Sequence, residues 1–123
     1  MYSILVCDDE KDIVSALKIY LMADGYQVFE AYNGKEALEV LKEQDIHLVL
    51  MDIMMPEMDG YEASRQIRAI NRPDAKTVPI IALTANAFTE DAQRAAEAGM
   101  DAHMTKPFDF DKLKKCMSEI KQS

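Results

Sequence analysis

The chain lacks any apolar run approaching the roughly 20 residues that span a bilayer, and its N-terminus carries no basic region followed by an apolar stretch. Membrane insertion and secretion are therefore not expected. Positive charge is also short: 14 Lys and Arg against 22 Asp and Glu leave a net charge of −8. A protein that grips the nucleic-acid backbone needs clustered Lys and Arg, so direct nucleic-acid binding is not expected either, and the partners favoured are cations and basic protein surfaces. Cysteine is limited to Cys7 and Cys116, both in apolar contexts. That pattern reads as two reduced, packed thiols in a cytoplasmic protein, with a staple between them as the other reading. Linkers, internal repeats and low-complexity stretches are absent. What is there is 123 residues, 49% hydrophobic and 29% charged, an ordinary globular balance that folds without metal or disulfide. One domain over residues 1–123 is the expectation.

Short apolar runs alternate with helix-period segments along the whole chain. The runs are Ile4 to Cys7, Val28 to Ala31, Leu48 to Met51, Ile80 to Leu83 and a weak last one, Ala102 to Met104. The first, third and fourth are continuously apolar, as strands covered on both faces of a parallel sheet must be. Between them lie helical stripes: Ile13, Ala16, Leu17, Tyr20 and Leu21; Ala37, Leu38 and Leu41; Tyr61, Ile67 and Ile70; Ala92, Ala95 and Ala96; and Phe110, Leu113, Met117 and Ile120. This repeated βα order predicts an α/β fold with helices on both faces of the sheet. The four glycines sit at boundaries. Gly25 and Gly99 suit left-handed C-terminal caps, Asn33-Gly34 is a turn pair before a helix, and Gly60 closes a loop. Asp109 or Asp111 can cap the last helix. Met51, Met100 and Met117 read as core gap-fillers.

In an open parallel sheet, ligands bind at the carboxyl ends of the strands. Asp8, Asp9 and Glu10 follow the first apolar run, Asp52 the third, Thr84 the fourth, and Lys106-Pro107 the last. Taken singly, these have plain readings as helix caps, turn chemistry or solvated charge. Together they deliver carboxylates, a hydroxyl and an ammonium to one edge. Clustered carboxylates ionise cheaply only beside a cation, and Mg²⁺, which takes one or two carboxylates with waters and phosphate oxygens, fits best. A carboxylate beside Mg²⁺ and the Lys106 ammonium is placed to attack phosphorus, with Thr84 donating to a phosphoryl oxygen.

Four segments in order, Leu5-Val6-Cys7-Asp8-Asp9-Glu10, Leu50 to Gly60, Leu83-Thr84-Ala85 and Thr105-Lys106-Pro107-Phe108, resemble the hallmark segments of the response regulator receiver domain. The resemblance covers essentially the whole chain. It implies a doubly wound five-stranded parallel sheet of strand order 2-1-3-4-5, as in chemotaxis regulators. It makes Asp52 the phospho-acceptor, Asp9 and Asp52 direct Mg²⁺ ligands, Asp8 a ligand mainly through water, and the Met54 carbonyl a further ligand. Thr84 and Lys106, with the backbone N–H groups of Met54 and Ala85, would contact the phosphoryl group, and the Lys106–Pro107 bond would be cis. The family's usual Tyr or Phe three residues before the lysine is replaced by His103. An aromatic rotamer switch is thus in question, although His at this place is familiar in hybrid sensor kinase receivers. His47 reads as structural or exposed. Met1 to Gly60 resembles transcription-factor regulators, whereas Ala85 to Phe108 resembles receivers fused to sensor kinases.

The function implied is that of a phosphoacceptor in a two-component system, not an enzyme but a signalling domain that catalyses only its own phosphotransfer and dephosphorylation. A histidine kinase or phosphotransfer protein would supply the phosphoryl group. The output would be a downstream protein or fused domain, or a homodimer, meeting the helix from Glu90 to Ala98, the last strand and the helix from Asp111 to Ile120. Self-dephosphorylation is expected to be slow or intermediate, because Met54 cannot orient a water and Asn86 does so only if turned inward. A Mg²⁺-dependent phosphohydrolase would need a second Asp where Met54 stands. A flavin mononucleotide carrier would need a Ser/Thr/Gly-rich loop where Asp8-Asp9-Glu10 stands. A receiver-like interaction module that is never phosphorylated is the remaining alternative.

Overall fold

Continuous apolar runs need cover on both sides, and the structure supplies it. The computed structural model describes residues 2–84, 89–105 and 110–121. It forms the three continuous runs into β1 (Ser3–Cys7), β3 (Leu48–Asp52) and β4 (Ile80–Thr84), every residue of which is buried. β2 (Gln27–Ala31) and β5 (Ala102–Thr105) are the partly exposed edges. All pairings are parallel, in the order β2-β1-β3-β4-β5. The expected doubly wound sheet is therefore present.

Alternation along the strands sends side chains to two cores. Leu5, Cys7, Val49, Met51 and Ile80 pack against α2 (Gly34–Glu43), α3 (Gly60–Arg68), α4 (Pro73–Thr77) and α5 (Thr89–Glu97). Ile4, Val6, Leu48, Leu50 and Leu83 pack against α1 (Lys11–Ala23) and α6 (Phe110–Lys121). The chain leaves β1 for one edge and returns to β3 on its other side, so the order reverses between these two strands, and a crevice opens at their carboxyl ends.

The caps behave as their residues dictate. Gly25 and Gly99 adopt φ of +90° and +88°. Their neighbours close paired backbone bonds, Tyr26 N–H to Leu21 O at 3.1 Å and Met100 N–H to Ala95 O at 2.9 Å. Asn33 accepts from Glu36 N–H at the start of α2, and Asp59 from Glu62 N–H at the start of α3.

Several expectations need correction. In α1 the buried stripe is Val14, Leu17 and Leu21, and Ala16 is exposed. α4 has no counterpart in the sequence reading. Asp111 lies in the first turn of α6, not at its cap, while Asp109 lies outside the described residues. The two cysteines are free, as the reading of two packed thiols expects, and only the alternative staple falls. Cys7 sits in one core and Cys116 against the other, on opposite faces of the sheet, so no staple can join them without rebuilding the fold. Met51, Met100 and Met117 are buried, as gap-filling predicts.

Candidate functional site

Strand register sets the edge. Cys7 pairs with Met51 and Asp52 with Leu83, so β1, β3 and β4 end nearly level and present Asp8, Asp52 and Thr84 side by side. All three are buried, at 0%, 2% and 6% exposure. Among the described residues the only other buried polar side chains are Ser3 and Ser64. Two carboxylates withdrawn from water beside one another are costly unless something compensates them, and that concentrates the chemistry of this chain at one point.

Asp8 is held by its own turn. Its Oδ1 accepts from Glu10 N–H at 2.9 Å, and its N–H donates to Ala31 O on β2. Glu10 is the N-cap of α1 yet its side chain makes no capping bond, so this residue is not spent on capping the helix. Asp8, Asp9 and Glu10 bring carboxylate oxygens within 4.8 Å of one another, one residue buried and two exposed. Asp52 stands outside that group. The donor set, hard oxygen atoms at the mouth of a crevice, fits a divalent ion such as Mg²⁺.

The loop after β3 shapes the surroundings of Asp52. Ile53 N–H donates to Leu83 O at 3.1 Å, and Ile53 and Met55 turn into the core. Met54 between them is 74% exposed, and its N–H reaches Asp52 Oδ1 at 3.3 Å. Glu57 takes a left-handed φ of +68° before Asp59 caps α3. Gly60 then donates to Ile53 O at 2.9 Å. A Cβ on Gly60 would lie 2.3 Å from Asp52 O and 2.8 Å from Ile53 Cα. The first turn of α3 thus rests directly on the peptide of Asp52, and only glycine permits it. The sequence reading took Gly60 as a loop closure and missed this contact. The available signal was a glycine at the first helical position, where capping does not call for one.

Cys7 is not a competing nucleophile. Its thiol lies 3.4 Å from Asn33 O and 3.6 Å from Met55 Sδ. Burial, then the charges of Asp52 and Asp8, push its pKa far up, and a thiol held protonated is inert. Thr84 ends β4 opposite Thr105. Ala85, Asn86, Lys106 and the Lys106–Pro107 bond lie outside the described residues, so the structure brings together Asp8, Asp9, Asp52, Met54 and Thr84. His103 lies on β5 in register with Ala82. It is exposed and borders a groove of about 420 Å³ shared with Lys112, Lys115 and Glu119 of α6. His47 has the structural role expected: its Nδ1 accepts from Ser3 N–H at 2.9 Å, and its ring stacks on Tyr2.

Comparisons with known proteins bear on this geometry. The sensor histidine kinase RcsC of Escherichia coli K12 is 40% identical over 115 residues, which are 94% of this chain; the chain spans 12% of the length of that kinase. The chemotaxis protein CheY4 of Vibrio cholerae superposes with a TM-score of 0.92 at 28% identity, covering 97% of this chain and 98% of the other. The receiver domain of the sensor histidine kinase PA1611 of Pseudomonas aeruginosa PAO1, solved with a magnesium ion coordinated in its active-site cleft, superposes at 0.86 with 34% identity, covering 96% and 95%. The model of the response regulator receiver domain matches residues 4–118, spanning the acidic turn after β1, Asp52 after β3 and Thr84 after β4, and the chain belongs to that family of two-component receivers.

Proposed function

We propose that this chain accepts a phosphoryl group on Asp52, from the phosphohistidine of a histidine kinase or phosphotransfer protein or from a small acyl phosphate, in a Mg²⁺-dependent reaction. The observation that carries the reading is the pair of buried carboxylates, Asp8 and Asp52, beside the exposed Asp9 and Glu10 at a strand-order reversal. In the transfer, an Asp52 oxygen bonds to phosphorus as the bond from phosphorus to the donor nitrogen or oxygen breaks. Mg²⁺, when bound, offsets the negative charge that would otherwise repel the incoming group. Asp9, Asp52 and the Met54 carbonyl are the direct ligands of this reading, with Asp8 acting through water. The N–H of Met54, which meets Asp52 Oδ1, would serve the phosphoryl oxygens together with the Ala85 N–H, the Thr84 hydroxyl and the Lys106 ammonium that the family resemblance assigns to them.

The chain performs no chemistry beyond its own phosphorylation and the slower attack of water on the product. Met54 leaves the path of that water without an orienting group. It also occupies the place where a phosphohydrolase would need its second acid, which disfavours that alternative. The phosphoryl group adds roughly −1.5 to −2 charges. Drawing Thr84 toward it alters the surface of α5, β5 and α6, His103 included, and so changes association with a downstream protein, a fused domain or a second copy. Among the described residues no helix is long and apolar enough to cross a membrane, in keeping with a cytoplasmic site of action.

Incubation with acetyl phosphate and Mg²⁺, read by intact mass, tests the reading. One acid-stable, base-labile phosphoryl group is expected in the parent, and none in Asp52→Asn or with EDTA. An undiminished adduct in Asp52→Asn refutes the acceptor, and no adduct in the parent favours an interaction module that is never phosphorylated.

A further inference from the structure

The two ends of α5 are held in different ways. Its first residue, Thr89, follows Thr84 of the site by five positions. Its far end is tied to α3. Ser64, fully buried, donates its hydroxyl to Ala98 O at 2.8 Å. One turn further along α3, Arg68 spends all five of its N–H donors. Nε and Nη2 reach Gly99 O at 3.0 and 2.6 Å, Nη2 also reaches Asp101 Oδ2 at 3.0 Å, and Nη1 reaches Ala75 O and Val78 O at 3.2 and 2.7 Å. Asp101 carries the tie into the sheet. Its Oδ2 accepts from Ile80 N–H at 2.9 Å, and its N–H donates to Ile80 O at 2.8 Å. Gly99 lets the arginine lie close, since a Cβ there would stand 3.0 Å from Arg68 Cγ.

This hub is not interchangeable with a point charge. A planar guanidinium directs five donors in a fixed fork, and a lysine ammonium supplies three with no such geometry. One side chain therefore fixes the end of α5, the short helix α4 and the first residue of β4 as a single body. Nearer the middle of α5, Arg94 lies over the Tyr61 ring at 4.4 Å, a contact that can slide without losing a hydrogen bond.

We infer that Ser64 and Arg68 pin the C-terminal end of α5 and the start of β4, so that a displacement arising at Thr84 swings α5 about that end and does not translate it. A nine-residue helix is about 13 Å long, so a tilt of about 10° carries its N-terminus about 2 Å while the pinned end stays in place. A partner sensitive to the state of the site then reads the Thr89 end of α5 with β5, not the Ala98 end. The swing rests on the phosphoacceptor reading above; the pin does not.

Amide hydrogen exchange and chemical shifts of the full chain, with and without beryllofluoride and Mg²⁺, test both parts. In Ser64→Ala, exchange at Met100 and Asp101 is expected to accelerate roughly tenfold beyond any change in global stability, as for one lost buried hydrogen bond. The same is expected in Arg68→Lys, with Ile80 joining the group. In the parent, beryllofluoride should shift amides of residues 89–95 and leave residues 98–101 unmoved, and in Arg68→Lys the shifts should spread to 98–101. Exchange at residues 98–101 that neither substitution alters overturns the pin. Parent shifts as large at 98–101 as at 89–95 overturn the swing. If the amides of Ile53 and Met54 do not respond, the phosphoacceptor reading itself has failed, and the exchange measurement alone decides the pin.

Discussion

Substituting Gly60 by alanine puts a methyl group where the structure has no room. The new Cβ would lie 2.3 Å from Asp52 O, about 0.7 Å inside the closest approach real Cβ atoms show, and 2.8 Å from Ile53 Cα. Both obstacles are backbone, so a rotamer change cannot relieve them. Either α3 lifts or the Asp52 peptide moves. Gly60 does not take a left-handed φ, so the cost is the contact alone, roughly 1–3 kcal/mol for overpacking of this kind. For a chain of this length that corresponds to a fall in Tm of roughly 5–10 °C. Movement at Asp52 also misplaces the proposed acceptor, and an error approaching 1 Å slows a positioned reaction by roughly 10- to 100-fold. Gly34→Ala is the matched control. Its Cβ would meet Met58 Sδ at 2.6 Å, but a methionine side chain can turn aside, so a small loss of Tm and near-parental labelling are expected. Thermal unfolding by circular dichroism, paired with the rate of acetyl phosphate labelling, measures both. A Gly60→Ala protein that melts and labels like the parent, or a more severe loss in Gly34→Ala, refutes the claim that α3 is seated on the Asp52 peptide.

Asp9→Ala should weaken Mg²⁺ binding more than Asp8→Ala, as measured by calorimetric titration, because in the proposed reading Asp9 would be a direct ligand and Asp8 one through water; the reverse order rejects this division. Native protein treated with iodoacetamide should alkylate Cys116 before Cys7, since Cys7 is fully buried with its thiol raised by burial and by the Asp52 and Asp8 charges, while Cys116 is only half-buried; first labelling at Cys7 contradicts the buried site. Glu30 is held below its ordinary value of 4.5 by its bond to Lys18 at 2.6 Å and by the Tyr32 hydroxyl. A carboxyl lowered on folding stabilises above its unfolded pKa, and the gain disappears as pH falls through the folded value. Glu30→Gln should therefore flatten the loss of stability below about pH 4.5 in urea titrations, and an unchanged acid limb removes Glu30 from the account.

The strands were legible because burial on both faces writes itself as continuous hydrophobicity. The structure extends the first run by Ser3, the third by Asp52 and the fourth by Thr84. These are buried polar positions at strand ends, and hydrophobicity cannot mark them. Gly25, Gly99 and Asn33 announced helix ends through backbone chemistry local to each residue, whereas the Asp59 cap of α3 was not read. The short helix α4 left no such trace. Five residues give no helical period, and Ala75 is its one buried side chain. The α1 stripe was misplaced by preferring Ala16 to Val14, since a small residue fits either face. At the site, Asp8, Asp52 and Thr84 were legible from strand-end position alone. The seat of Gly60 on Asp52 and the five-donor hub of Arg68 depend on contacts between distant segments, which no local pattern encodes.

Reduction of the acyl phosphate with borohydride offers the most direct test of the central claim, because it converts the phosphorylated aspartate to homoserine, which tandem mass spectrometry assigns to one residue. After acetyl phosphate and Mg²⁺, homoserine is predicted at position 52 and nowhere else, and it should vanish when EDTA is present. Homoserine at Asp8 or Asp9, or its absence from position 52 in a protein that has gained the phosphoryl mass, would contradict the account.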